Sequence, residues 1–389
     1  MPASNTLGSS DRASVKRPLP HQNEMTDKEN SENEPEKYFA PGAGSLHDYV
    51  ARFSLKAGGE AVQWLLKYLE QRDIRPLPGS PLERAAIIAL DLAKEAPGRR
   101  VADSDTRDRY ADFIGICELA AALRHVRKQG AVDQLLDHLR LLGRSTEKEP
   151  APEPGQVPRP AESVAPKFDP VANYVFELLI AAYAMRVGTD VKVDPRTPAE
   201  SEQGRNPDVL VTLRGRRWGF ACKVLISANK EAVIEHLRTG IRQIEDSEAE
   251  TGCVLFSLRA KVNLNALWPV ADSADPSVEA KAVDGAWVGL GDAIDELLVA
   301  ADSVRQSVRD VAEEVCALFE GKKSAPGWAS YMHGMTAIPN LEAHGDSRVI
   351  SLRTFLFTPS RLVKKSEIVG VTLLDHAAQL VFDPDDRNL

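Results

Sequence analysis

Stretches with no apolar rhythm alternate along this chain with stretches that have a strong one. In residues 1–43 the segment "HQNEMTDKENSENEPEKY" carries almost no aliphatic side chains, so it has little surface to bury and is expected to be a disordered tail. From Leu46 to Leu142 the spacing becomes helical, through "LHDYVARFSL", "AVQWLLKYLEQR", "SPLERAAIIALDLAKEA", "TRDRYADFIGICELAAALRHVRKQ" and "AVDQLLDHLRLLG". Ser80 and Glu83 read as a capping box, with Pro81 at the first helical position. Tyr110, Phe113, Ile114, Cys117 and Leu123 share one side of the fourth segment. The pattern predicts a small helical bundle over residues 44–143. It holds no catalytic constellation, which leaves docking of a protein partner or self-association as its expected role. Residues 144–167 then carry six prolines, the composition of an extended linker.

Beyond the linker, residues 168–389 mix two periods. "PVANYVFELLIAAYAMRVG" gives an apolar helical stripe through Val171, Val175, Leu178, Leu179 and Ala182, with Gly188 as its stop. "DVKV", "DVLVTL" and "RWGFACKVLI" read as strands, the last two joined through "RGRR" as a tight hairpin. A helix with Val233, Ile234, Leu237, Ile241 and Ile244 on one face precedes the strand "CVLFSL". A long helix over "DAIDELLVAADSVRQSVRDVAEEVCALFE" and two late strands, "WASYMHGMTAI" and "RVISLRTFLF", complete the list. The order helix, three strands, helix, strand predicts an α/β core with a mixed sheet, preceded by the small all-α domain.

Bulk properties narrow the class. A length of 389 residues suits two folded units plus tails. No apolar run reaches the ~18 residues of a bilayer crossing, and the N-terminal residues lack a secretory apolar stretch, so a cytoplasmic protein without membrane contact is expected. Cys117, Cys222, Cys253 and Cys316 are scattered among apolar neighbours, which predicts reduced structural thiols. The net charge of −9 argues against a uniformly basic coat. Between Gln203 and Arg242, however, eight basic residues face three acidic ones. That local excess is either a solvated face or a surface for a polyanion.

Three residues stand out chemically. Asp208 opens the middle strand, Lys223 lies fifteen residues later near the end of the next strand, and a hairpin of that length brings both to one edge of the sheet. Glu177 is the sole acid in "VFELLIAAYAM", and an isolated charge in an apolar helix is costly unless it is paired or metal-bound. With "PD" at Pro207–Asp208 and "CK" at Cys222–Lys223, this set resembles the PD-(D/E)xK, or restriction-endonuclease-like, nuclease superfamily over roughly residues 168–260. The resemblance implies a metal-dependent DNA endonuclease using Mg2+ or Mn2+. Asp208 would be the central metal ligand, Glu177 an accessory one, the Cys222 carbonyl a further donor, and Lys223 the group that orients the attacking water. It further suggests Gln243 as a polar residue lining the site.

One position departs from that pattern. Two residues before Lys223, where the family has Asp or Glu, stands Ala221, which ligates nothing. Three explanations remain open: Glu177 takes over the missing duty, the domain binds nucleic acid without cleaving it, or the alanine is a deliberate inactivating change. The alternative function is accordingly a non-cleaving nucleic-acid-binding or assembly module on a nuclease-like fold. Arg214, Arg216, Arg217 and Arg242 are candidate phosphate contacts in either case. His333, Trp328, Tyr331 and Phe355 are expected to be structural. Bacterial defence or mobile-element biology is an association by family only.

Overall fold

The computed structural model describes residues 50–51, 55–80, 82–84, 86–88, 104–126, 129–143, 170–194, 206–269, 277, 290–339, 347–361 and 363–381. All of them lie in one compact unit, Tyr38–Leu389. The expected tail, 1–43, and linker, 144–167, fall outside the described residues. Seven strands form one mixed sheet in the order β1-β7-β6-β5-β4-β3-β2. They are β1 (Val50–Ala51), β2 (Thr189–Val193), β3 (Val209–Leu213), β4 (Arg216–Val224), β5 (Thr251–Ser257), β6 (Ser324–Pro339) and β7 (Ser347–Pro359). The helices named below are α1 (Leu55–Glu70), α2 (Ser104–Arg124), α3 (Leu136–Leu142), α4 (Pro170–Val187), α5 (Lys230–Glu245), α6 (Leu264–Leu267), α7 (Leu290–Ser307), α8 (Ala312–Leu318) and α9 (Lys365–Gln379). The result is α/β, with helices on both faces of the sheet. Among the described residues, no helix is long and apolar enough to cross a membrane.

Local chemistry explains the strand order. β3 and β4 pair antiparallel through a two-residue turn at Arg214 and Gly215, whose φ values are 47° and 76°. Positive φ at both central residues is the hairpin geometry that follows the twist of its strands, and glycine adopts it at no steric cost. β4 and β5 pair parallel, so the chain must cross over between them, and α5 makes that crossing. Its N-cap is Asn229, whose side chain accepts from the Ala232 amide. The apolar face anticipated from Val233, Ile234, Leu237, Ile241 and Ile244 is buried in full.

α4 departs from the expected stripe. Residues 175–186 are all buried, because the helix lies between the strands β2–β4 on one side and α2 and α9 on the other; a helix apolar all round is an interior helix. Gly188 ends it for a different reason than a left-handed cap. A Cβ there would come within 2.5 Å of Val211 and 2.9 Å of the Thr212 carbonyl oxygen, so glycine lets the helix end approach β3. Further upstream, the segment "LHDYVARFSL" is not simply helical, since Val50–Ala51 is a strand pairing with Leu352 and Ser351 of β7.

The helices before residue 143 and the sheet after residue 189 share one core. A single apolar cluster runs from Leu65 and Leu69 of α1 through Leu119 of α2 to Val209, Trp218, Phe220 and Leu374. The boundary read at the proline-rich segment therefore divides the sequence but not the core. Polar groups cross the same junction. Glu118 of α2, wholly buried, accepts from the hydroxyls of Tyr183 and, at 2.7 Å, Tyr331. Arg353 Nη1 lies 3.5 Å from one of its oxygens and His333 Nδ1 lies 3.2 Å from the other.

Candidate functional site

The register of the β3–β4 hairpin builds the site. Val209 faces Phe220, so Asp208, one residue earlier, comes opposite Ala221. The Asp208 carboxylate accepts from the Cys222 amide at 2.6 Å through Oδ2, and the same oxygen lies 3.4 Å from Lys223 Nζ. Lys223 Nζ also donates to Gln243 Oε1 at 2.8 Å. Asp208, Lys223 and Gln243, far apart in sequence, thus meet at the carboxyl end of β4. Asp208 and Gln243 are buried, whereas the Lys223 side chain keeps 15% of its exposure. An ammonium group has three N–H donors, and Asp208 and Gln243 accept two of them.

α5 carries the polar wall of this site on one stripe. His236, Gly240 and Gln243 are spaced four and three residues apart, which stacks them along one face of a helix. Gly240 brings that face close to the strands, because a Cβ there would lie 2.8 Å from Val254 and 3.2 Å from the Ala221 Cβ. Burial, followed by the charge of Lys223, holds His236 below the usual histidine range. It is therefore a neutral imidazole at pH 7.

Ala221 and Glu177 lie on opposite sides of the sheet. Strand side chains alternate: Ala221 packs with the α5 layer and is wholly buried, whereas Phe220 and Cys222 pack with the α4 layer. Glu177, 3% exposed, belongs to α4. A carboxylate from α4 therefore comes from the face opposite the one where Ala221 leaves a ligand missing. Mg2+ takes near-octahedral oxygen ligation. Beside Lys223 the side-chain carboxylate donor is Asp208, already engaged by an amide and an ammonium. Among the described residues, no group of three or more His, Cys, Asp and Glu is placed to hold a metal ion. Among the described residues, the side chains beside Lys223 do not fit a two-carboxylate metal centre.

The arginines anticipated as phosphate contacts are not part of this cluster. Arg214 and Arg216 are exposed at the hairpin tip, about six residues of strand, or roughly 20 Å, from Asp208. Arg217 is buried beneath them: Nη2 donates to Glu248 at 2.9 Å, Nη1 lies 3.1 Å from the Asp190 carboxylate, and the Asp190 carbonyl accepts a further bond. That arginine anchors β2 rather than offering its charge outward. Arg242 is exposed on α5, next to Gln243 but turned to solvent while Gln243 is buried. Lys230 and Arg238 pair with Asp310 at 3.0 Å and Glu314 at 2.6 Å. Three of the eight basic residues in that stretch, Arg217, Lys230 and Arg238, are thus matched by acids outside it.

His333, Trp328, Tyr331 and Phe355 are buried. His333 lies between Glu118 and Ser351, whose Oγ is 2.9 Å from Nε2. The Glu118–Arg353 centre went unrecognised from sequence. Its signal was available in "GICELAAAL", a lone acid in an apolar helix, the same feature that singled out Glu177. Comparisons with protein-family models, with curated proteins and with solved structures returned no match.

Proposed function

We propose that this chain carries a restriction-endonuclease-like core that holds the phosphodiester backbone of DNA without hydrolysing it. The observation that supports this most is the meeting of Asp208, Lys223 and Gln243 at the carboxyl end of β4, within the order helix, three strands, helix, strand. Ligands of open α/β sheets bind outside the carboxyl ends of the strands, and Lys223 there offers a partly exposed cation with donor capacity to spare. Binding in place of cleavage follows from Ala221: the position opposite Asp208 supplies no carboxylate, and it is filled by packing against α5.

A second reading, Mg2+- or Mn2+-dependent cleavage, has one observation in its favour: three of the positions expected of a nuclease are occupied by the right residue types and two of them are in contact. Incubating the protein with supercoiled plasmid and either metal, alongside Lys223→Ala, distinguishes the two. The binding reading predicts retarded but uncut plasmid with wild type and weaker retardation with the variant. Nicking that needs metal and disappears in Lys223→Ala would establish the enzyme instead.

A further inference from the structure

In place of a cation held between two carboxylates, β4 presents an ammonium held between a carboxylate and an amide. Lys223 Nζ lies 3.4 Å from Asp208 Oδ2 and 2.8 Å from Gln243 Oε1. The Cys222 amide adds a second donor to the same Asp208 oxygen. The negative charge that would attract a divalent ion is thereby compensated within the protein. Ala221, two residues before Lys223 on the same strand, is wholly buried and packs closely with Gly240 and Val254, so the position expected to supply the second carboxylate is apolar. His236 adds a neutral ring to the stripe on α5, and no anion.

We infer that this site is a metal-free phosphate clamp in which Lys223 supplies the positive charge, so that DNA is held without any divalent cation. The inference rests on the DNA-binding reading above and deepens it. A phosphate oxygen approaching Lys223 takes the remaining donor or displaces one of its acceptors, and no bond is made or broken. Asp208 has two effects here: it positions the ammonium, and it competes with the phosphate for it. Gln243 positions the ammonium without adding charge.

The test uses the full chain and a fluorescein-labelled DNA duplex, followed by anisotropy at fixed ionic strength, in EDTA and in Mg2+. Wild type is expected to bind equally in the two buffers, within about twofold once the screening by Mg2+ itself is matched. Lys223→Gln should bind about tenfold more weakly in both, the loss of one charge-assisted contact, whereas Lys223→Arg should retain most of the affinity. Asp208→Asn should bind more tightly, because the competing charge is gone while the amide oxygen still accepts from Cys222. Thermal unfolding without DNA provides a second readout: Mg2+ should leave the midpoint of wild type and of Asp208→Asn in the same place. The inference is overturned if EDTA abolishes binding and Mg2+ restores it, or if Mg2+ raises the midpoint of wild type but not of Asp208→Asn. Failure to bind DNA in either buffer would instead remove the DNA-binding reading on which it stands.

Discussion

Glu118 has the most constrained environment of any acid described here. Burial raises its pKa, but the charges of His333 and Arg353 and the hydroxyls of Tyr183 and Tyr331 outweigh that and hold it at about 2. Burial pushes His333 down to about 3, with Glu118 opposing it and Arg259 and Arg353 adding to it. At neutral pH the imidazole is therefore uncharged and the ion pair is Glu118–Arg353. Both shifts have the same consequence for pH. A carboxyl held below its ordinary 4.5 stabilises the fold above that pH and loses the contribution as pH falls toward 2. A histidine kept neutral down to about 3 leaves the unfolded chain binding more protons below 6.5. Stability is therefore expected to decline as pH falls below 6.5 and more steeply below 4.5. Glu118→Ala should cost about 3–5 kcal/mol, since it takes a carboxylate away from a wholly buried arginine, and it should flatten the acid limb of a denaturation series. A variant with an unchanged acid profile would refute this assignment. Arg217 and Arg214 illustrate what sequence conveys at this scale: both read as basic, yet only three-dimensional pairing with Asp190 and Glu248 separates an anchor from an exposed charge.

At the scale of elements, the hairpin and α5 were the most legible parts. The Arg214–Gly215 turn needed only the residue types at the turn, and α5 needed only its period. α4 was misread as a striped helix because its partners on the second face, α2 and α9, lie far away in the chain. Arg186 makes the same point: its guanidinium donates at 3.1 Å to the carbonyls of Ala377 and Leu380 at the end of α9, a cation at a helix C-terminus that no local pattern announces. The contact of α5 with β4 yields a direct prediction. Gly240→Ala should destabilise the protein by about 1–3 kcal/mol through overpacking on Val254 and Ala221, read as a lower midpoint in urea. Ala221→Glu should cost at least as much and should not confer plasmid cleavage, because the new side chain enters a closed apolar layer. A stable Ala221→Glu protein that cuts plasmid in Mg2+ would contradict the packing described for α5.

For the whole molecule, the shared core of α1, α2, α4 and the sheet predicts one cooperative transition rather than two. Trp64 of α1 and Trp218 of β4 belong to or pack on that core, so tryptophan fluorescence and far-ultraviolet dichroism should follow the same denaturation curve. Two separated transitions would mean that the helical segment folds by itself. The periodicity in the sequence pointed to the helices α1, α2 and α3 but not to the junction, because Glu118, Tyr183, Tyr331 and Arg353 meet only in the fold. Net charge acts at this scale as well. A chain at −9 repels DNA overall, so affinity must come from a local cation, and each phosphate contact appears in the dependence of binding on salt. The slope of the logarithm of affinity against the logarithm of salt concentration, measured on a DNA duplex for wild type and Lys223→Gln, tests the site most directly. The variant is predicted to lose about one unit of slope, while Arg214→Ala retains the full value. Equal slopes for wild type and Lys223→Gln would contradict a phosphate held at the end of β4.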